Sequence, residues 1–184
     1  QMKTGILKLT AILGVLAVAS ACSSTRTQQS AGEVIDDSVL TSKVKVALID
    51  DPSTKAGQIN VETYRGVVQL GGFVDNATQK NQATKVARSV TGVKEVRNDL
   101  LISTKPHATT GQDYDDSMLT AAVKAKLTED ADTKAHQINV GTEKGVVQLT
   151  GFVDSTAMKA KAGELARSVD GVKSVRNDLE IRQK

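Results

Sequence analysis

Aromatic side chains are scarce in this sequence, which has no tryptophan, two tyrosines and two phenylalanines among 184 residues. Proteins that bind single-stranded nucleic acid stack the bases on aromatic side chains, so this composition argues against such a surface. Cysteine is almost absent as well, because Cys22 stands alone and no internal disulfide can form. Folding must therefore depend on ordinary hydrophobic cores.

A strong excess of charge is also lacking. The sequence has 24 Lys and Arg against 21 Asp and Glu, and two of the basic residues, Lys3 and Lys8, lie in its N-terminal segment. Without these two lysines the basic and acidic side chains nearly balance. Electrostatic capture of nucleic acid, which requires a basic surface, is therefore not expected.

The N-terminal segment reads as a targeting signal. Lys3 and Lys8 are followed by the apolar run Leu9–Ala21, which is shorter than the roughly 20 apolar residues that a stable membrane span needs. This order predicts a signal peptide over residues 1–21. Removal of the signal would leave a short polar tether, 22–35, before the first repeated unit.

Cys22 follows three small residues, and this pattern resembles a bacterial lipobox, although Ala19 stands where Leu is usual. In such signals the cysteine thiol receives a diacylglycerol and the new amine is acylated, as with palmitate. The resemblance implies a lipid-anchored protein, and Ser23 favours the outer membrane. The alternative is cleavage after Ala21 by an ordinary signal peptidase, which would give a soluble periplasmic protein.

The mature chain is a tandem repeat. The segment GVVQLGGFVD at Gly66 returns as GVVQLTGFVD at Gly145. Residues 36–102 align with residues 115–181 without a gap, and about three-fifths of the positions are identical. The intervening residues 103–114 (STKPHATTGQDY) are polar and predict a linker. Each copy is near the lower size limit for independent folding, so we expect the two copies to bury apolar surface against each other.

Hydrophobic periodicity predicts the order helix, strand, strand, helix, strand in each copy. The first helix carries apolar residues at helical spacing, with Asp36, Asp37 and Ser38 as capping candidates. Asp75 or Asn76 can cap the second helix. We therefore expect an α+β protein of two αββαβ modules, each with two helices on one face of a three-stranded sheet.

Three glycines recur at equivalent positions of the two copies. Gly66 and Gly145 lie in the predicted hairpin turns, and Gly92 and Gly171 lie where a helix end favours a left-handed residue. Gly72 and its counterpart fall on the inward face of the middle strand. There we expect a helix to pack too closely for a side chain, with a ligand role as the alternative. The predicted structural glycines are Gly66, Gly72, Gly92, Gly145, Gly151 and Gly171.

The motif G-x-V-x-L-x-G-x-V, followed by a helix and G-V-x-x-V-x-N-x-L, resembles the BON domain of bacterial envelope proteins. The motif extends from Gly66 to Leu100 and occurs again from Gly145 to Leu179. The resemblance implies a non-catalytic protein without cofactors that serves under osmotic or envelope stress. Its implied partners are anionic phospholipid, contacted through the second copy, and outer-membrane proteins. The alternative is a soluble periplasmic chaperone, whose partners would be unfolded periplasmic clients.

The second helix of each copy is rich in basic residues. The first copy's helix contains no acid, whereas Glu164 offsets the cations of the second. A basic helix can meet anionic lipid headgroups; the alternative is an ordinary solvated helix face. The candidate lipid-binding residues are Lys80, Lys85, Arg88, Lys159, Lys161 and Arg167. The two histidines, His107 and His136, are not expected to form a metal site, and no nucleophile motif appears.

Overall fold

A computed structural model describes residues 31–54, 56–103, 110–133 and 138–182, with the backbone alone for 31–35 and 110–114. Both copies have the predicted order of elements, which confirms an α+β protein built of two modules. Module 1 comprises α1 (Ala31–Asp50), β1 (Ile59–Tyr64), β2 (Val67–Val74), α2 (Ala77–Ser89), β3 (Glu95–Asn98) and β4 (Leu101–Ile102). Module 2 comprises α3 (Thr110–Glu129), β5 (Ile138–Glu143), β6 (Val146–Val153), α4 (Thr156–Arg167), β7 (Ser174–Asn177) and β8 (Glu180–Ile181).

The middle strand organises each sheet. In module 1, β2 pairs antiparallel with β1 on one side and parallel with both β3 and β4 on the other. The predicted third strand is therefore present, but Asp99 and Leu100 divide it into two short segments. Module 2 repeats this arrangement around β6. The sheet is thus three strands wide, with a discontinuity in its parallel pairing.

One face of each sheet is covered by its two helices. Side chains alternate along a strand, so every second residue of β2 faces the same way. The buried core of module 1 joins sheet residues to residues of α1 and α2: Leu40, Val44, Leu48, Ile59, Val61, Val68, Leu70, Val74, Ala83, Ala87, Val96 and Leu100. Module 2 has the corresponding core. None of the described helices is long and apolar enough to cross a membrane.

Both first helices begin earlier than the sequence pattern indicates. The helix α1 starts at Ala31, inside the segment predicted as a tether, and α3 starts at Thr110, inside the predicted linker. Asp36, Asp37 and Ser38 consequently lie within α1, so the prediction that they cap its N-terminus is wrong. The cap of α2 is Asn76 rather than Asp75, because the Asn76 side chain accepts the backbone N–H of Gln79 at 2.9 Å.

The two modules meet through the sheet faces that their helices leave uncovered. Gln69, Gly71 and Phe73 point away from the module 1 helices, and β1 and β2 contact β5 and β6 there. The layers therefore run helix, sheet, sheet, helix. As a result, α2 and α4 lie on opposite outer sides of the molecule.

Candidate functional site

The discontinuity in each sheet is filled by a glutamine from the other module. Parallel pairing of β2 stops after Leu70 and resumes at Phe73. Within that gap the backbone N–H of Gly72 donates to Oε1 of Gln148 at 2.7 Å. Reciprocally, the N–H of Gly151 donates to Oε1 of Gln69 at 2.8 Å. A backbone donor that the strand pairing omits is thus satisfied across the module interface.

The amide nitrogens of the same glutamines complete the arrangement. Nε2 of Gln69 donates to Oδ2 of Asp99 in its own module and to the carbonyl oxygen of Asp178 in the other, both at 2.7 Å. Gln148 makes the equivalent pair of bonds, to Oδ2 of Asp178 at 2.9 Å and to the carbonyl oxygen of Asp99 at 2.7 Å. Each glutamine is 1% exposed. Buried polar side chains of this kind fix one relative orientation of the two sheets, because any other would leave amides unpaired.

The two ends of the interface are not equivalent. At one end the Tyr64 and Phe152 rings lie 5.5 Å apart, and the Arg182 guanidinium lies 5.4 Å from the Tyr64 ring centroid. At the other end the residue equivalent to Tyr64 is Glu143, which accepts a hydrogen bond from the Ser103 hydroxyl. The interface is therefore symmetric around Gln69 and Gln148, whereas its two ends are formed by different residue types.

Charged contacts also cross between the modules. Nη1 of Arg97 lies 2.7 Å from Oε2 of Glu180. That hydrogen bond, opposed by partial burial, raises the pKa of the Arg97 guanidinium above its ordinary value. Nδ2 of Asn139 donates to Oε1 of Glu62 at 2.7 Å. Polar groups thus supply much of the contact, beside the apolar contact of the Tyr64 and Phe152 rings.

The aspartates that were expected to cap helices instead hold the hairpin turns. Oδ2 and Oδ1 of Asp37 accept the backbone N–H groups of Arg65 and Gly66, at 2.6 and 2.9 Å. Asp116 does the same in module 2, accepting from Lys144 and Gly145 at 2.5 and 2.8 Å. These carboxylates therefore connect the first helix of each module to its β-hairpin.

All six predicted glycines adopt a positive φ, which favours glycine. At Gly72, where φ is +113°, a side chain would meet the carbonyl oxygen of Gln58, just before β1. The expected reason, a helix packed too closely, is therefore wrong. The backbone at Gln58, and not a helix, leaves no room for a side chain at Gly72. The positive φ of Gly72 accompanies the hydrogen bond from its N–H to Gln148.

The predicted lipid-binding cations of α2 fall into two groups. Nζ of Lys80 donates to the carbonyl oxygen of Leu100 at 2.7 Å, and Nδ2 of Asn98 donates to the carbonyl oxygen of Lys80 at 2.7 Å. Lys80 thus ties α2 to the break between β3 and β4. Lys85 and Arg88 are exposed, and in the part of the chain that the structure describes neither side chain has an ion pair or hydrogen bond.

The predicted lipid-binding cations of α4 fall into the same two groups, but fewer of them are exposed and unpaired. Nζ of Lys159 donates to the carbonyl oxygen of Leu179 at 2.6 Å, and Lys161 lies 3.5 Å from Oδ2 of Asp130. Arg167 is exposed, and Glu164 occupies the position of Lys85. Since α2 and α4 lie on opposite sides, the six cations do not form one surface, and a flat partner would meet one helix at a time.

Three residues named from the sequence lie outside the described residues: Cys22, His107 and His136. Conversely, the sequence pattern predicts no role for Gln69 or Gln148. The signal that could have identified them is a polar residue within an apolar strand, in the run GVVQL of both copies. A polar residue repeated on the face away from the core indicates a second contact surface.

Comparison with known proteins agrees with the repeat. A family model described as the BON domain matches residues 36–104 and 115–183. The osmotically-inducible protein Y of Escherichia coli is 41% identical over 151 residues, covering 82% of this chain and 75% of that protein. The outer membrane lipoprotein DolP of Haemophilus influenzae is 39% identical, covering 80% and 75%. A 21 kDa hemolysin of Actinobacillus pleuropneumoniae is 37% identical, with the same coverage.

Proposed function

The chain belongs to the BON-domain family, and from that membership we propose that it is a non-catalytic outer-membrane lipoprotein that binds anionic phospholipid. Two relatives support an envelope role, since their names describe an osmotically inducible protein and an outer membrane lipoprotein. The lipobox-like sequence that ends at Cys22 supports attachment through acyl chains. In this proposal the paired modules form a rigid body held at the periplasmic face of the membrane.

The proposal that the protein binds lipid depends on the exposed, unpaired cations of α2. Lys85 and Arg88 are exposed, and the segment Asn76–Ser89 contains no acidic residue that could neutralise them. Each Lys or Arg close to an anionic membrane surface contributes about 1 kcal/mol of attraction. Two such residues are a modest contribution, which suits a protein whose main attachment is an acyl chain.

The non-catalytic part of the proposal is supported by the roles of the paired aspartates. Neighbouring carboxylates at positions 36–37 and 115–116 are the groups that most resemble an acid–base pair. Asp37 and Asp116 are each committed to two backbone N–H groups of a turn. Carboxylates held in this way stabilise a hairpin, and this structural role accounts for their presence at both repeats.

Binding to vesicles tests the lipid contact. The mature chain, residues 22–184 with Cys22→Ala, is mixed with vesicles of phosphatidylglycerol or phosphatidylcholine, and the bound fraction is measured by sedimentation. We expect binding to phosphatidylglycerol that weakens with salt and falls when Lys85→Glu and Arg88→Glu are combined. The matched control is Lys124→Glu with Lys173→Glu, which makes the same charge change at exposed lysines of module 2. Equal losses in both variants would contradict the assignment to α2.

The intact mass of the protein from cell membranes tests the anchor. We expect a triacylated cysteine at position 22 and an unacylated protein when Cys22→Ala is introduced. An unmodified chain in the soluble fraction would instead favour a free periplasmic chaperone.

A further inference from the structure

The outer face of α1 in module 1 carries an apolar stripe that no described part of the protein covers. Val39, Val46 and Ile49 are 46%, 55% and 69% exposed. With about 100° of rotation per residue, these three side chains lie within a sector of ~80°. That sector is opposite the side of Leu40, Val44 and Leu48, which is buried against the sheet. The exposed Ser42 also lies in this sector, about 60° from Val39, so the outer face is apolar except at that serine.

Module 2 lacks this stripe. The positions equivalent to Val46 and Ile49 are Ala125 and Thr128 on α3. Among the α3 side chains that the structure describes, 115–129, only Met118, equivalent to Val39, is large, apolar and exposed. Core packing does not explain the difference, since the inner positions of α3 carry the same residue types as those of α1, and Val123 and Leu127 are buried like Val44 and Leu48. An apolar strip that is present on one copy and absent from its repeat indicates a contact specific to that copy.

Exposed charges border the stripe, with cations in excess. By the same helical geometry, Asp50 and Asp36 lie about 20° and 60° to one side of Val39, and both are exposed. On that side Lys43 lies about 40° from Val39, and Lys45 lies about 120° to the other side. Both lysines are exposed, and neither has an ion pair or hydrogen bond within the described ranges. The neighbouring helix α2, which packs on α1, adds Lys85 and Arg88. Four exposed cations around the stripe thus stand against two exposed acids, and this excess favours an anionic lipid–water interface for an apolar helix face.

We infer that the outer face of α1 docks on an anionic phospholipid bilayer, with Val39, Val46 and Ile49 entering the headgroup region. This inference rests on the proposed function, because it takes Cys22 as the anchored residue. The residues 23–30 between Cys22 and α1 span at most about 3.5 Å each, so the start of α1 stays within roughly 28 Å of the anchor. The lipid contact is thereby assigned to the first module, whereas the family resemblance implies the second.

The test replaces the stripe by its module 2 equivalents. In the mature chain with Cys22→Ala, Val46→Ala and Ile49→Thr are combined, and partitioning into phosphatidylglycerol vesicles is measured by sedimentation. Each methylene group buried in lipid contributes about fourfold to partitioning, so we expect a loss of about tenfold or more. Because both side chains are exposed, the circular dichroism spectrum and Tm should not change.

The matched control is Met118→Thr, which removes the exposed apolar side chain of α3 and should leave partitioning unchanged. If Met118→Thr weakens binding as much as the α1 variant, the assignment to module 1 is overturned. If the unaltered chain binds while the α1 variant binds equally well, α1 is not the docking face, but the proposed function stands. If the unaltered chain does not bind phosphatidylglycerol vesicles at all, both proposals fail.

Discussion

Gly71 and Thr150 occupy equivalent positions in the two middle strands and face each other across the module interface. A Cβ atom on Gly71 would lie 2.5 Å from Cγ2, 2.7 Å from Oγ1 and 3.0 Å from Cβ of Thr150. Rotation about χ1 could move the first two atoms but not the Cβ, which is fixed to the backbone. Gly71 does not have a positive φ, so Gly71→Ala would be resisted by the neighbouring module and not by its own backbone.

Overpacking of this kind costs about 1–3 kcal/mol of unfolding free energy. For a chain of this length, the corresponding decrease in Tm is about 2–12 °C. The assay is thermal unfolding followed by circular dichroism for Gly71→Ala, Thr150→Gly and the double variant. In the double variant the clash is absent, so Gly71→Ala should cost much less than it does alone, giving a favourable coupling energy of about 1–3 kcal/mol.

A control for the effect of alanine itself is available at Gly57. No atom lies within 4 Å of a Cβ placed there, and its φ is not positive, so Gly57→Ala should change stability by no more than about 0.5 kcal/mol. The reasoning is refuted if Gly71→Ala leaves Tm unchanged. It is equally refuted if Thr150→Gly does not relieve the loss, because the two modules would then not meet at this point.

Three further predictions concern the polar contacts and the strained glycine. Asp116→Ala leaves two backbone N–H groups of a turn without their acceptor and should lower the free energy of unfolding, measured in urea, by about 1–3 kcal/mol. Asp37 is more exposed than Asp116, so Asp37→Ala should lower it by less. Lys80→Met removes the donor to the β3–β4 break and should cost about 1 kcal/mol, whereas Lys85→Met should stay within about 0.5 kcal/mol in parallel thermal unfolding; equal effects would contradict the different roles assigned to these lysines. Gly72→Ala adds backbone strain at φ +113° to a clash with a carbonyl oxygen and should lower Tm by more than Gly71→Ala does in the same assay.

The elements of each module could be predicted because their patterns are local. Apolar residues at helical spacing in α2, and the alternation of Val68, Leu70 and Val74 in β2, require only the period of the backbone. The division of the third strand was not predictable in this way. It depends on Asn98, whose side chain bonds to α2 and to the N–H of Leu100, and these partners are brought together only by the fold.

The candidate site was predicted less well for the same reason. The charge of Lys80 is visible in the sequence, but whether that charge is open depends on the carbonyl oxygen of Leu100, 20 residues away. Asp37 looked like a helix cap because caps are local, and it proved to bind a turn 28 residues along the chain. The exposed stripe on α1 was hidden among the apolar residues of the same helix, since a sequence pattern does not say which apolar face is buried.

The sequence by itself therefore determined the repeat, the family, the order of elements and the inner face of each sheet, because these follow from periodicity within single segments. Only the tertiary structure decided how the two copies meet, through Gln69 and Gln148 bridging each other's sheet discontinuities. It also decided which cations remain open and which face of α1 is left uncovered. Hydrogen bonds and exposure at these places involve groups far apart in the chain, and their partners are set only when the segments are assembled in space.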